Sequence, residues 1–223
     1  MINGIRLKVC GITSLVDADA ADAIGADCLG FIFYPTSPRN VPFAQYQAMH
    51  DRLPPRQKVA VSVEPAPVDL ARQVDLGFDF FQIHFNPQTP VAVVQAWAER
   101  VGTARLWLAP RLPPGVDLYP ELLPLADTFL LDTFHAEKIG GTGEAGDWAQ
   151  FRRYREAHPA KHWILSGGLK AENIAEAVTA TGARFVDVNS GVEQAPGIKS
   201  PAKLQAFVLA LHNATKQDNS SYQ

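Results

Sequence analysis

Cysteine is scarce in this 223-residue chain: Cys10 and Cys28 are its only two. Two thiols cannot form a disulfide framework, so a reducing, cytoplasmic setting is expected. Long apolar runs are also missing. No stretch approaches the roughly 20 residues needed to span a bilayer. The amino terminus lacks the basic-then-apolar pattern of a secretory signal, and none is expected there. No charge of one sign dominates: the net charge is −3, giving no reason to expect nucleic acid or an anionic membrane as partner. His135-Ala136-Glu137 has no third ligand at metal-binding spacing, so no metal is expected. No Ser-His-Asp arrangement, domain linker or low-complexity tract stands out.

What remains is ordinary globular composition, 47% hydrophobic and 19% charged. Short apolar runs alternate with helix-patterned stretches from end to end. Strands are expected at 7–9, 28–33, 58–62, 80–83, 104–108, 128–131, 162–165 and 185–188. Helices are expected at 14–24, 43–51, 91–99, 148–156, 173–181 and 201–211. Thr13 or Ser14 would cap the first helix and Gly25 stop it. The fifth helix is the weakest, with Pro113, Pro114, Pro120 and Pro124 nearby. Eight strand–helix units in about 220 residues imply an α/β fold, a single-domain (β/α)8 TIM barrel over residues 1–213. The polar residues 214–223 read as a disordered tail.

In such barrels the carboxyl ends of the strands carry the chemistry. Cys10 ends the first strand and Asp132 the sixth, a thiol and a carboxyl suited to proton transfer. Cys10 could equally be a small buried hydrophobe, and Asp132 a loop cap. Alternation puts Lys8 on the face of Cys10, where a cation would favour the thiolate. Lys8 would neighbour Asp187 of the eighth strand in a closed barrel, and an interior ion pair beneath Cys10 is expected. Cys28 reads as structural.

Gly167-Gly168 follows the seventh strand and Ser190-Gly191 the eighth. Loops at those two places commonly cradle a phosphate on backbone N–H groups. Gly141-Thr142-Gly143-Glu144-Ala145-Gly146 has the spacing G-x-G-x-x-G, but eight residues, Thr133 to Gly140, separate it from the strand. The dinucleotide fingerprint needs them adjacent, so no cofactor is expected, and a loop closing over a bound anion fits better. Arg39, in a proline-pinned loop, could pair with a carboxylate. His84 could be an active-site polar group or a structural histidine.

Read together, several segments resemble the phosphoribosylanthranilate isomerases of tryptophan biosynthesis. They are Lys8-Val9-Cys10-Gly11-Ile12-Thr13, Gly30-Phe31-Ile32-Phe33-Tyr34-Pro35 with Ser37 and Arg39, and Leu130-Leu131-Asp132-Thr133. Gly140-Gly141-Thr142-Gly143 with Asp147-Trp148 follows, then Leu165-Ser166-Gly167-Gly168-Leu169 with Asn173. Asp187-Val188-Asn189-Ser190-Gly191-Val192-Glu193 with Pro196-Gly197 and Lys199 completes the set. The resemblance runs from Leu7 to about Lys203. It implies an Amadori rearrangement of N-(5′-phosphoribosyl)anthranilate to 1-(2-carboxyphenylamino)-1-deoxyribulose 5-phosphate, on a chain acting as monomer or homodimer. It implies Cys10 as general base at C2′, Asp132 as general acid at the ring oxygen, and Arg39 on the anthranilate carboxylate. The phosphate would lie on Gly167, Gly168, Ser190 and Gly191, with Gly141 alongside. Lys8, Asp187 and His84 would support the site.

The chain departs from the family pattern at Glu64, Phe85, Leu108 or its neighbour, and Asn189. The first three fall in the third to fifth units, pointing to a changed pocket wall. Two other readings follow: a related phosphosugar isomerase with an altered aglycone, and a non-catalytic phosphate-ligand-binding barrel. Binding alone needs neither Cys10 nor Asp132.

Overall fold

The computed structural model describes residues 1–113, 116–132 and 147–219, with side chains described as far as residue 214. Eight parallel strands close into a barrel in chain order. They are β1 (Arg6–Val9), β2 (Cys28–Ile32), β3 (Gln57–Val63), β4 (Phe80–Phe85), β5 (Leu106–Pro110), β6 (Thr128–Asp132), β7 (His162–Ser166) and β8 (Phe185–Val188). The barrel closes by pairing β1 with β8, Lys8 opposite Asp187. Around it run α1 (Leu15–Ala23), α2 (Phe43–His50), α3 (Pro67–Asp75), α4 (Val91–Val101), α5 (Trp148–Ala157), α6 (Ile174–Thr181) and α7 (Pro201–Asn219). A small antiparallel pair, β9 (Glu193–Ala195) and β10 (Ile198–Lys199), follows β8.

Local chemistry explains most boundaries. Ser14 caps α1, its hydroxyl accepting from the Asp17 amide at 3.1 Å, and Gly25 follows the helix at φ 81°. Between β5 and β6 the expected helix shrinks to a 3₁₀ segment, Pro120–Leu125. Pro120 can only start such a turn, and Pro124 removes a donor inside it.

Three expectations move. The strand expected at 104–108 starts two residues later, because the Arg105 and Leu106 amides both bond the Gly102 carbonyl in a turn. That shift carries β5 to Pro110 and sets Arg111 at the barrel mouth. The third helix, α3, lies on a stretch where none was specified; Pro67 begins it. The polar tail expected from 214 does not begin there: α7 continues to Asn219, with Ala214 buried. Residues 220–223 lie outside the described set.

Strand alternation sorts the side chains. Leu7, Val9, Leu29, Phe31, Phe81, Ile83, Phe129, Leu131 and Leu165 face the helices in the main core. Inside the barrel Cys28, Val59, Trp107, Leu130, Ile164 and Phe185 pack together. Phe80 stacks on Trp107 at 4.7 Å, and Trp107 meets Phe185 edge-on at 5.4 Å. This aromatic plug fills the amino-terminal half of the interior. Polar side chains therefore collect toward the other end.

Candidate functional site

The site begins at the β1–β8 seam. Lys8 is fully buried, and its ammonium lies 2.9 Å from both Asp187 carboxylate oxygens. The pair expected from strand order is thus present inside the barrel. Burial works against the Lys8 charge, yet Asp187 and then Cys10 outweigh it and raise the Lys8 pKa. Gly30 on β2 faces this pair. A Cβ there would come within 2.9 Å of Lys8 Cε and 3.1 Å of Cys10 Sγ. Glycine in mid-strand is therefore what lets Lys8 and Cys10 lie together. The sequence signal for it was a strand glycine with no turn to make.

Cys10, 4% exposed, follows β1 with its amide bonded to the Val188 carbonyl at 2.9 Å. Burial pushes its thiol above the ordinary value; Lys8 pulls the other way without prevailing. The expected effect of Lys8 on the thiolate is real in sign and insufficient in size, because burial first and Asp187 second outweigh the ammonium. Asp132 is the last residue of β6, paired in register with Ser166, and its side chain is exposed.

Cys10 and Asp132 line one cavity of about 250 Å³, together with Gln82, Gly167, Gly168 and Ser190. Gly167 and Gly168 both sit at positive φ, 98° and 61°, where a side chain would be strained. Asn173 binds the Gly168 carbonyl at 3.0 Å and shapes the turn into α6. Ser190–Val192 form a 3₁₀ turn directly after β8. Gly191 presses so closely on the Leu169 carbonyl that a Cβ would lie 2.0 Å from it. The two glycine loops are thus packed on each other at one lip of the cavity. Gly141 lies outside the described residues.

A second cavity, about 460 Å³, shares Ile32, Val61, His84 and Asp132 with the first. Its far side is formed by Ala109, Arg111 and Leu112. His84 Nε2 lies 2.8 Å from Gln82 Nε2. Burial, Lys8 and Arg111 push the His84 pKa down to about 3, so the ring is neutral at working pH. Gln82, missed in the sequence, is buried with Oε1 unbonded among the described residues. Its signal was alternation, which puts it on the interior face with His84.

Arg39 is placed differently from expectation. Its Nε and Nη2 bind both carboxylate oxygens of Glu193, at 2.8 and 2.6 Å. It is not among the described residues lining either cavity. Glu193 also takes Lys199 at 3.0 Å, and Lys199 reaches Asn189 Oδ1 at 3.0 Å. Burial alone would push the Glu193 carboxyl up, but Arg39 and Lys199 hold it below the ordinary range. This network ties the loop after β2 to the loop after β8. Glu193 and Lys199 belong to the segments behind the resemblance, where neither had a role of its own.

The departures also resolve. Phe85 and Leu108 point outward into the helix-packed core, Phe85 meeting Trp97 at 5.8 Å. Glu64, at φ 41°, binds Thr89 and the Asn86 amide and lines neither cavity. Asn189 alone borders the smaller one. Among the described residues no three His, Cys, Asp or Glu side chains gather as metal ligands. No described helix is long and apolar enough to cross a membrane.

The N-(5′-phosphoribosyl)anthranilate isomerase family model matches residues 7–210. The N-(5′-phosphoribosyl)anthranilate isomerase of Pseudomonas putida strain GB-1 is 40% identical, over 94% of this chain and 98% of its own. The crystal structure of TrpF from Jonesia denitrificans superposes with a TM-score of 0.77 at 32% identity, covering 95% of this chain and 98% of that one. A phosphoribosyl anthranilate isomerase solved with reduced 1-(o-carboxyphenylamino)-1-deoxyribulose 5-phosphate superposes at 0.72 and 29% identity, covering 94% and 99%. The chain belongs to the N-(5′-phosphoribosyl)anthranilate isomerase family and is an isomerase of tryptophan biosynthesis.

Proposed function

We propose that Cys10 and Asp132 carry the acid–base steps of this isomerisation. The observation behind the assignment is that both line one cavity whose other lip is two interlocked glycine loops. The phosphate is assigned to Gly167, Gly168, Ser190 and Gly191, in the loops directly after β7 and β8, where backbone N–H groups can meet an anion. Asp132, exposed at the junction of the two cavities, gives its proton to the furanose ring oxygen. The C1′–O bond then breaks, and the electron pair of the arylamine nitrogen forms the C1′ iminium. Cys10, as thiolate, removes the C2′ proton, and those electrons neutralise the iminium to give the enolamine. Tautomerisation yields the C2′ ketone. Each proton transfer is worth roughly 10²–10⁴ in rate.

Lys8 and Asp187 hold the base from below, and neutral His84 offers a hydrogen bond without adding charge. Arg39, with only Nη1 outside the Glu193 pair, reaches a ligand carboxylate from the loop edge while bracing the β8 loop. All these residues come from one chain, so monomer and homodimer alike would carry complete sites. Of the departures in the third to fifth units, Phe85, Leu108 and Glu64 line neither cavity, but Ala109, the neighbour of Leu108, lines the larger one, so an altered aglycone remains the second reading.

The test is the loss of anthranilate fluorescence when freshly made phosphoribosylanthranilate meets wild type, Cys10→Ser and Asp132→Asn. Rapid loss in wild type and a fall of about 10²-fold or more in each folded variant are expected. A variant retaining wild-type rate removes that residue from the mechanism.

A further inference from the structure

The opposite end of the barrel, where β1, β7 and β8 begin, holds a third cavity of about 590 Å³. Four cations line it, Arg6, Arg155, Lys161 and Arg184, against a single carboxylate, Glu156. This concentration of positive charge stands out in a chain whose net charge is −3. None of the three arginines has an ion pair among the described residues. Lys161 lies 3.8 Å from Asp127, itself half exposed.

Neutral acceptors hold these side chains instead. Arg6 Nη2 donates to Gln57 Oε1 at 2.8 Å, and the guanidinium lies 4.4 Å over the Phe185 ring. Arg155 Nη1 donates to the Gly182 carbonyl at 3.1 Å, and a Cβ at residue 182 would come within 2.8 Å of Arg155 Cζ. Arg155 Nε is buried and has no partner among the described residues. Lys161 donates to the Ala126 carbonyl at 2.9 Å. The Arg184 carbonyl takes the Arg6 amide at 2.9 Å, which fixes its backbone beside β1. Neutral acceptors orient a cation without cancelling its charge, so the cavity keeps a positive field that an anion would relieve. The isomerisation draws on none of these residues, and the glycine loops lie at the other ends of β7 and β8.

We propose that this cavity binds a multiply charged phosphate ligand, either a nucleotide's phosphate chain or an inorganic polyphosphate. A singly charged anion would satisfy one cation. A chain of phosphates reaches several, and arginine meets phosphate oxygens in pairs. Occupancy would tie the starts of β1 and β8 to α5 and stabilise the folded chain.

The test is calorimetric titration with tripolyphosphate and with ATP in metal-free buffer, run with and without saturating isomerisation product. Tripolyphosphate should bind in both cases, raise Tm, and bind more weakly as ionic strength rises. Arg155→Gln and Arg184→Gln should each weaken it about 10-fold, with turnover within a few-fold of wild type. Arg153→Gln, on α5 but outside the cavity, should change nothing. Equal affinities for the two probes would assign the phosphate chain alone, and tighter ATP binding would assign a nucleotide. No binding of either probe, binding indifferent to both variants, or binding abolished by the product would overturn the proposal.

Discussion

The β8–β1–β2 seam and the β3–β5 wall border the same mouth but are built on opposite principles. At the seam, charge is buried and cross-linked: Lys8 with Asp187, Glu193 with Arg39 and Lys199, Lys199 with Asn189. Two of these links, Lys8–Asp187 and Arg39–Glu193, join residues 179 and 154 positions apart. At the wall, Phe85 and Leu108 turn outward, and the surface lining the larger cavity includes Ala109, Leu112, His84 and Arg111. A rigid seam suits a phosphate and a proton acceptor, whose positions must not vary. A wall with Ala109 and Leu112 on its surface suits the face of an aromatic ring.

The contrast breaks most severely at Lys8. Lys8→Met leaves Asp187 buried and uncompensated, and should lower stability by about 3–5 kcal/mol. Activity should fall with it, read by chemical denaturation beside turnover. Unchanged stability would mean that the pair contributes nothing net to the folded state.

Glu193→Gln should act less strongly, costing about 1–3 kcal/mol at neutral pH. The Glu193 carboxyl is held below its ordinary 4.5 in the folded chain, so its stabilisation is present above that value and is lost as pH falls through the lower folded value. The stability gap between Glu193→Gln and wild type should therefore narrow below about pH 4.5 in acid denaturation series. A gap constant with pH would sink the network's electrostatic role.

The smallest effect is a slope. Burial raises the Cys10 thiol above its ordinary 9.0, so it is mostly protonated at neutral pH, and a base at this position acts through a minor thiolate population. kcat/KM should rise toward alkaline pH, and ultraviolet thiolate absorbance should grow over the same range in wild type but not in Cys10→Ser. His84, with its pKa pushed down to about 3, should add no inflection near neutrality. A thiolate already complete at neutral pH would show that Lys8 prevails over burial.

Legibility followed the same division. Cys10, Asp132, the two glycine loops and the Lys8–Asp187 pair could be read because each sits at a strand end or in an alternation pattern. Strand order then supplies the neighbour. Arg39 could not be placed from its loop, since its partner Glu193 lies 154 positions away and beyond six strands. The fifth unit misled by two residues in where its strand begins and ends, a shift that keeps the alternation of faces; that Trp107 and Ala109 face inward and Leu108 outward was settled by packing, not by the run's limits.

By itself the sequence determined the eight alternating units, the barrel they imply, the placement of Cys10 and Asp132 at its mouth and the family likeness. These depend on local periodicity and on which residue ends each run. Only the tertiary structure decided which way burial pushes Cys10, which arginine is spent on Glu193, and that Gly30 makes room for Lys8. Those outcomes come from summed desolvation and close packing among residues brought together from distant strands, and no local pattern encodes such sums.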